Sequence, residues 1–183
     1  MSKFVAKKKI MAELMISPSL DKEEIFERVE KYLTDLGFNI ATRDKNRPWG
    51  GFFVLDESQI RKFREVFFSS VQLSEEQFSQ KLSPKFLLVA PGARLSWQYH
   101  HRRSELWNLV AGNASISRSL TDTQHAPVGL KLGEVVYLEK GERHRLIGSD
   151  SWGIVAEIWV HSDSNHPSDE TDIIRLEDDY SRN

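Results

Sequence analysis

Residues 91–112 read PGARLSWQYHHRRSELWNLVAG, and residues 133–146 read GEVVYLEKGERHRL. The first stretch opens on a Pro91-Gly92 turn and closes on Gly112; the second opens at Gly133-Glu134 and breaks at Lys140-Gly141. Short apolar or alternating runs fill the space between such turns and continue on either side. They lie at residues 86–89, 106–110, 114–117, 135–138 and 154–160, with further turn signals at Gly112-Asn113 and 148–150. Many short strands within about 75 residues predict a sandwich, jelly roll or barrel. The tail after His161 is polar and acidic, and its residues 172–176 predict a last edge strand.

Upstream of this strand-rich zone, the period changes. Asp21 followed by Glu24 is a capping-box signature, Ile25, Val29, Tyr32 and Leu33 recur at helical spacing, and Gly37 is placed to end the helix. Residues 58–83 also read as helix. Ile60, Phe63, Phe67 and Phe68 share one apolar face, Ser74-Glu75-Glu76-Gln77 opens a further short helix, and Pro84 stops it. The expected organisation is a helical extension over 1–40 that packs on a mostly β domain over 41–183, with a helical insertion at about 58–83.

A chain of 183 residues with 39% hydrophobic and 28% charged residues can bury one real core. The formal net charge of −2, without a Lys/Arg block, argues against a nucleic-acid partner. With no cysteine, any metal must be held by histidine, carboxylate or amide groups. No apolar run approaches the roughly 20 residues of a membrane span. The opening MSKFVAKKKIMAEL lacks the apolar core of a signal peptide, so a cytoplasmic location is expected.

Side chains alternate faces along a strand, so Gln98 and His100 point one way while Tyr99 and His101 point the other. Glu105 lies an odd number of residues beyond His100 and joins the same site only if the chain turns between them, for which His-Arg-Arg-Ser is suited. His144 follows the Lys140-Gly141 turn. Gln98, His100, Glu105 and His144 are the candidate metal ligands, a mixed nitrogen and oxygen set suited to a divalent cation. Spacing by itself leaves open that each histidine is merely structural.

The spacing also resembles the two cupin motifs. Gly92, Gln98, His100, Glu105 and Gly112 are similar to the first, with Gln98 at its first histidine position. Gly133, Glu139, Gly141 and His144 are similar to the second, with Glu139 in place of the usual proline and Gly148 in place of the last asparagine. A narrower resemblance is to type II mannose-6-phosphate isomerases. It rests on Arg47-Pro48-Trp49-Gly50, on residues 91–96 (PGARLS), on residues 98–107 (QYHHRRSELW) and on residues 174–180 (IRLEDDY). Arg102 and Leu106 replace histidines of that family, and the nucleotidyltransferase domain often fused to its barrel is absent from this sequence. The resemblance implies a cupin double-stranded β-helix, or jelly-roll barrel, with N-terminal and inserted helices. It further implies one divalent ion, with zinc the first expectation and manganese, cobalt or iron the alternatives.

The reaction the resemblance implies, mannose 6-phosphate to fructose 6-phosphate through a cis-enediolate, needs a Lewis acid and a base that moves a proton between C1 and C2. Glu157 is the candidate base because it interrupts an apolar strand, and Lys140 is the competing acid or base. Phosphate calls for arginine. Arg175 is the first choice from the closing segment of the family, and Arg94 shares the strand parity of Gln98 and His100. Trp107 shares that of Glu105 and is a candidate pocket wall. Arg102, Arg103, Arg118 and Arg145 are read as solvated. The expected partner is a small sugar or sugar phosphate, and a homodimer is expected through the Phe63, Phe67 and Phe68 stripe. Three rivals stay open. They are an isomerase for another sugar, a sugar-binding barrel without catalysis, and an iron cupin dioxygenase, against which Gln98 counts.

Overall fold

The computed structural model describes residues 14–180, so what the sequence implies for residues 1–13 lies outside the described residues. Helix α1 (Lys22–Asp35) starts where the capping box predicts: the Asp21 carboxylate accepts from Glu24 N and the Glu24 carboxylate accepts from Asp21 N, each at 2.9 Å. It ends in a Schellman turn. Gly37 takes a φ of +74°, which lets Phe38 N donate to Leu33 O at 3.0 Å and Gly37 N to Thr34 O at 2.8 Å. The helix buries Ile25, Phe26, Val29, Tyr32 and Leu33.

A hairpin of β1 (Ile40–Arg47) and β2 (Gly50–Leu55) follows, then two short helices, α2 (Ile60–Phe67) and α3 (Glu75–Phe78), in the predicted helical zone. The Ser74–Gln77 capping box opens α3. Strand β1 leaves little trace in the sequence, because IATRDKNR is polar and, along an edge of the sheet, buries none of its residues fully.

The remaining strands are β3 (Lys85–Val89), β4 (Trp97–Tyr99), β5 (Arg103–Ser119), β6 (Val128–Gly129), β7 (Val135–Leu138), β8 (Arg143–His161) and β9 (Ile174–Glu177). All the strand pairs are antiparallel, in the order β1-β2-β3-β8-β4-β9, with β5 pairing β6, β7 and β8. The molecule is a mostly β jelly roll of the cupin type. Two expected turns are not turns. Gly112, at φ +69°, sits beside register shifts within β5, and 148–150 lie inside β8. Each is a bulge that bends a long strand so that one strand serves both layers.

Strand β3 explains how the layers are filled. Phe86 and Leu88 face the helices and join the core of Phe26, Phe53, Phe63 and Ile154, while Leu87 and Val89 face into the barrel with Trp107, Leu109 and Val155. A strand covered on both faces reads as an unbroken apolar run. The same two-sided burial corrects one expectation. Phe63, Phe67 and Phe68 are 0%, 3% and 0% exposed within the chain, stacked on Phe38 and Phe86, so this stripe offers no dimer surface. No helix among the described residues is long and apolar enough to cross a membrane.

Candidate metal centre and its cavity

His100 follows β4, Glu105 lies near the start of β5, and His144 lies near the start of β8. The three are each 2% exposed, and one ligand atom from each falls within 4.8 Å of the others. Both imidazoles are held from behind. His100 Nδ1 lies 2.6 Å from Asp172 O and His144 Nδ1 lies 2.9 Å from Glu142 O. Since a carbonyl only accepts, each Nδ1 carries a proton, and in the neutral imidazole each Nε2 turns its lone pair toward Glu105.

That leaves acceptors facing acceptors. Glu105 Oε1 lies 3.0 Å from His100 Nε2, and Glu105 Oε2 lies 3.3 Å from His144 Nε2. Glu105 Oε2 and His144 Nε2 are buried and lack a hydrogen-bond partner. Converging buried lone pairs of this kind are what a divalent cation satisfies, so the residues fit a metal. The site already attracts positive charge. Burial pushes the Glu105 carboxyl up, but His100 and the Arg103 guanidinium outweigh it and hold the group well below the carboxylate range. Burial pushes His144 down, and the Glu105 carboxylate beside it more than reverses the effect.

Glu105 also forms part of the wall of a cavity of about 480 Å³, together with Gln98, Trp107, Glu157 and Trp159. Glu157 is 5% exposed, and its two oxygens accept from the indole N–H of Trp107 and of Trp159, each at 3.0 Å. Burial, and after it the charge of Glu105, pushes the Glu157 carboxyl up to about 7. A row of register partners, Thr42, Val54, Lys85, Glu157 and Trp107, crosses five strands, and each of its members lines the cavity.

A family model described as mannose-6-phosphate isomerase C-terminal matches residues 71–178, more than half of the chain and all three residues of the triad. The chain belongs to this mannose-6-phosphate isomerase C-terminal family. Among curated relatives it is 28% identical over 169 residues to the xanthan biosynthesis protein XanB of Xanthomonas campestris pv. campestris (strain B100), covering 88% of this chain and 29% of that protein. It is 27% identical over 168 residues to the mannose-1-phosphate guanylyltransferase of Salmonella montevideo, covering 89% and 28%. It is 36% identical over 141 residues to the alginate biosynthesis protein AlgA of Pseudomonas aeruginosa, covering 74% and 22%. The chain thus spans less than a third of the length of the curated relatives it matches.

Within this domain the predicted residues do not all meet. Gln98 pairs in register with His144 and lines the cavity, but its Oε1 accepts from Ser96 Oγ at 2.6 Å. Arg175, the register partner of Gln98 on β9, and Trp107 also line the cavity. Arg94 does not. It is exposed and ion-paired with Asp179, because β4 begins only at Trp97 and strand parity does not carry back to position 94. Lys140 is exposed on the turn before β8 and is not among the cavity-lining residues.

Three cations are buried against the expectation from sequence or without a signal in it. Arg145, expected in solvent, is 1% exposed and donates to Leu95 O at 2.6 Å. Arg103 is 5% exposed and lines the cavity, donating from Nε to Glu105 Oε1 at 2.9 Å and reaching His100 Nε2 from Nη2 at 3.2 Å. Its strand parity with Glu105 was the available signal, but 101–104 read as a turn. Lys85 opens β3 on the parity of Leu87 and Val89, so it faces inward too. A reading that starts this strand at Phe86 misses it.

Proposed function

We propose that this domain is a metal-dependent aldose–ketose isomerase, with mannose 6-phosphate and fructose 6-phosphate as the pair it interconverts. The observation that carries the reading is Glu157, a buried carboxylate with a pKa near neutrality, in the same cavity wall as the carboxylate of the His100–Glu105–His144 triad. In this reading His100, Glu105 and His144 hold the ion, with Gln98 as a fourth ligand after its amide leaves Ser96. A bound divalent ion supplies Lewis-acid polarisation of the sugar oxygens, for which zinc is the first choice.

The rest falls to the chain itself. Glu157 takes the proton from C2, next to the carbonyl, and returns it to C1, while the hydroxyl proton on O2 passes to O1 as the ketose forms. A carboxyl pushed toward neutrality by burial is suited to both steps. The two indole N–H donors fix its oxygens, so that it swings little between the two carbons. Trp107 and Trp159 also line the cavity beside it and keep water from the carboxylate. The guanylyltransferase named for the Salmonella relative belongs to a protein of which this chain spans 28%.

The arrangement of Arg103 favours a second reading, a sugar-binding barrel without a metal, in which the guanidinium replaces the ion at Glu105 and His100. One experiment separates the two. Chelator-treated protein is reloaded with zinc, manganese or cobalt and incubated with mannose 6-phosphate, and formation of fructose 6-phosphate is followed. Turnover that depends on the metal and is lost in Glu157→Gln is the expected result. Sugar-phosphate binding without metal uptake or turnover would overturn the isomerase.

A further inference from the structure

Lys85 is a charged residue in an unusual position for a strand opening. Its side chain is 8% exposed, its ammonium sits 3.9 Å over the ring of Trp159, and it points into the cavity. A desolvated ammonium needs an anion. The partner it has is Glu170 Oε1 at 2.9 Å, yet the Glu170 side chain is 78% exposed, on the loop between β8 and β9. A carboxylate held mostly in water gains little from such a pair and leaves it easily.

The surroundings are rich in cationic side chains. Arg47 packs over the ring of Phe52 at 5.5 Å, and Lys85 approaches the same ring at 6.0 Å, so two cations flank one aromatic patch of the cavity wall. With Arg103 and Arg175, four cationic side chains line the cavity together with the carboxylates of Glu105, Glu157 and Glu170, and Arg47 also pairs with Asp44 at 2.8 Å. Any cation held by the triad adds to the positive charge. Lys85 is also the register partner of Glu157, which sets the ammonium beside the proposed base, and it shares the Trp159 ring with Arg103.

We propose that Lys85 anchors the phosphate of a phosphorylated sugar, assisted by Arg47, and that Glu170 is a stand-in anion that the phosphate displaces. The proposal deepens the sugar-phosphate reading and rests on it for the identity of the ligand. In this arrangement the charged end of the substrate lies on the β1–β3 side of the cavity, which leaves the other end for the triad, with Glu157 between.

The test uses the full chain, kept free of metal with a chelator, and inorganic phosphate as the probe, titrated by calorimetry. Glu170→Gln, a change at an exposed position, is expected to bind phosphate about three- to fivefold tighter than the parent. Lys85→Met is expected to bind at least about tenfold weaker, and Lys85→Arg to hold the parent affinity. Far-UV circular dichroism reports whether each variant is folded. Equal affinity in parent and Glu170→Gln would overturn the stand-in role. Unchanged binding in folded Lys85→Met would overturn the anchor, as would no saturation up to about 50 mM in either parent or Glu170→Gln. Acetate serves as the comparison, and an equal response to acetate would overturn the phosphate assignment. Because the titration needs neither metal nor turnover, its outcome stands apart from failure of the isomerase assay.

Discussion

Asp172 and His100 lie 72 positions apart, and the carbonyl oxygen of the first fixes the imidazole of the second at 2.6 Å. The Asp172 carboxylate meanwhile accepts from His101 N and Arg102 N, each at 3.0 Å, and from Ser168 Oγ at 2.6 Å. Ser168 Oγ in turn accepts from Arg103 Nη1 at 2.8 Å. One aspartate on the loop before β9 therefore sets both the histidine and the arginine that touch Glu105.

Asp172→Ala should loosen this clasp. Two backbone donors lose their acceptor, which should cost about 2–4 kcal/mol in urea denaturation. A ligand held less firmly should also weaken cobalt binding about 10- to 100-fold in a titration followed by visible absorbance. Cobalt affinity equal to the parent in a folded variant would show that His100 needs no such support.

The pH dependence of stability tests Glu157. Its carboxyl keeps a proton to about 7 in the fold, against an ordinary value of 4.5, so the folded chain binds more protons than the unfolded chain between these limits. Stability from this group is thus greatest below pH 4.5 and falls as pH rises toward 7. Glu157→Gln removes the effect. Relative to the variant, chelator-treated parent should lose about 3 kcal/mol between acid and mildly alkaline pH. A constant difference across that range would mean that the carboxyl is not perturbed.

Trp107→Phe probes the same group from its hydrogen bond. The indole N–H favours the ionised carboxylate, so its loss should raise the pKa of Glu157 further. On the isomerase reading, the acid limb of the kcat/KM profile should move to higher pH, and kcat at neutral pH should fall about tenfold. A profile superimposable on that of the parent would place the base elsewhere.

Gly112→Ala tests the bulge that bends β5. A Cβ there would lie 1.7 Å from Trp152 O, on a backbone with φ +69° that side chains disfavour. Both the overlap and the conformation act against the variant, and thermal denaturation should show a loss of at least about 2–4 kcal/mol. A near-neutral result would mean that β5 and β8 can separate at this point without cost.

Elements whose signals are local can be read from the chain alone. The Asp21–Glu24 box and Gly37 bound α1, Ser74 and Gln77 open α3, and the apolar runs mark β3, β7 and the second half of β8, because caps, periods and turns act within a few residues. The triad was legible too, as two motifs whose histidines and glutamate have few alternative partners in a chain of six histidines. Which side of the barrel each polar residue faces is settled by closure of the sheet. Arg94 and Lys140 carry suitable chemistry and lie outside the cavity. Arg103, Lys85 and Arg145 are equally ordinary in sequence and are buried. A bulge or a late strand start flips parity, and a buried cation is kept only by carboxylates and carbonyls brought in from distant strands. Such partners exist once the sheet has closed, and nothing in the neighbouring residues announces them.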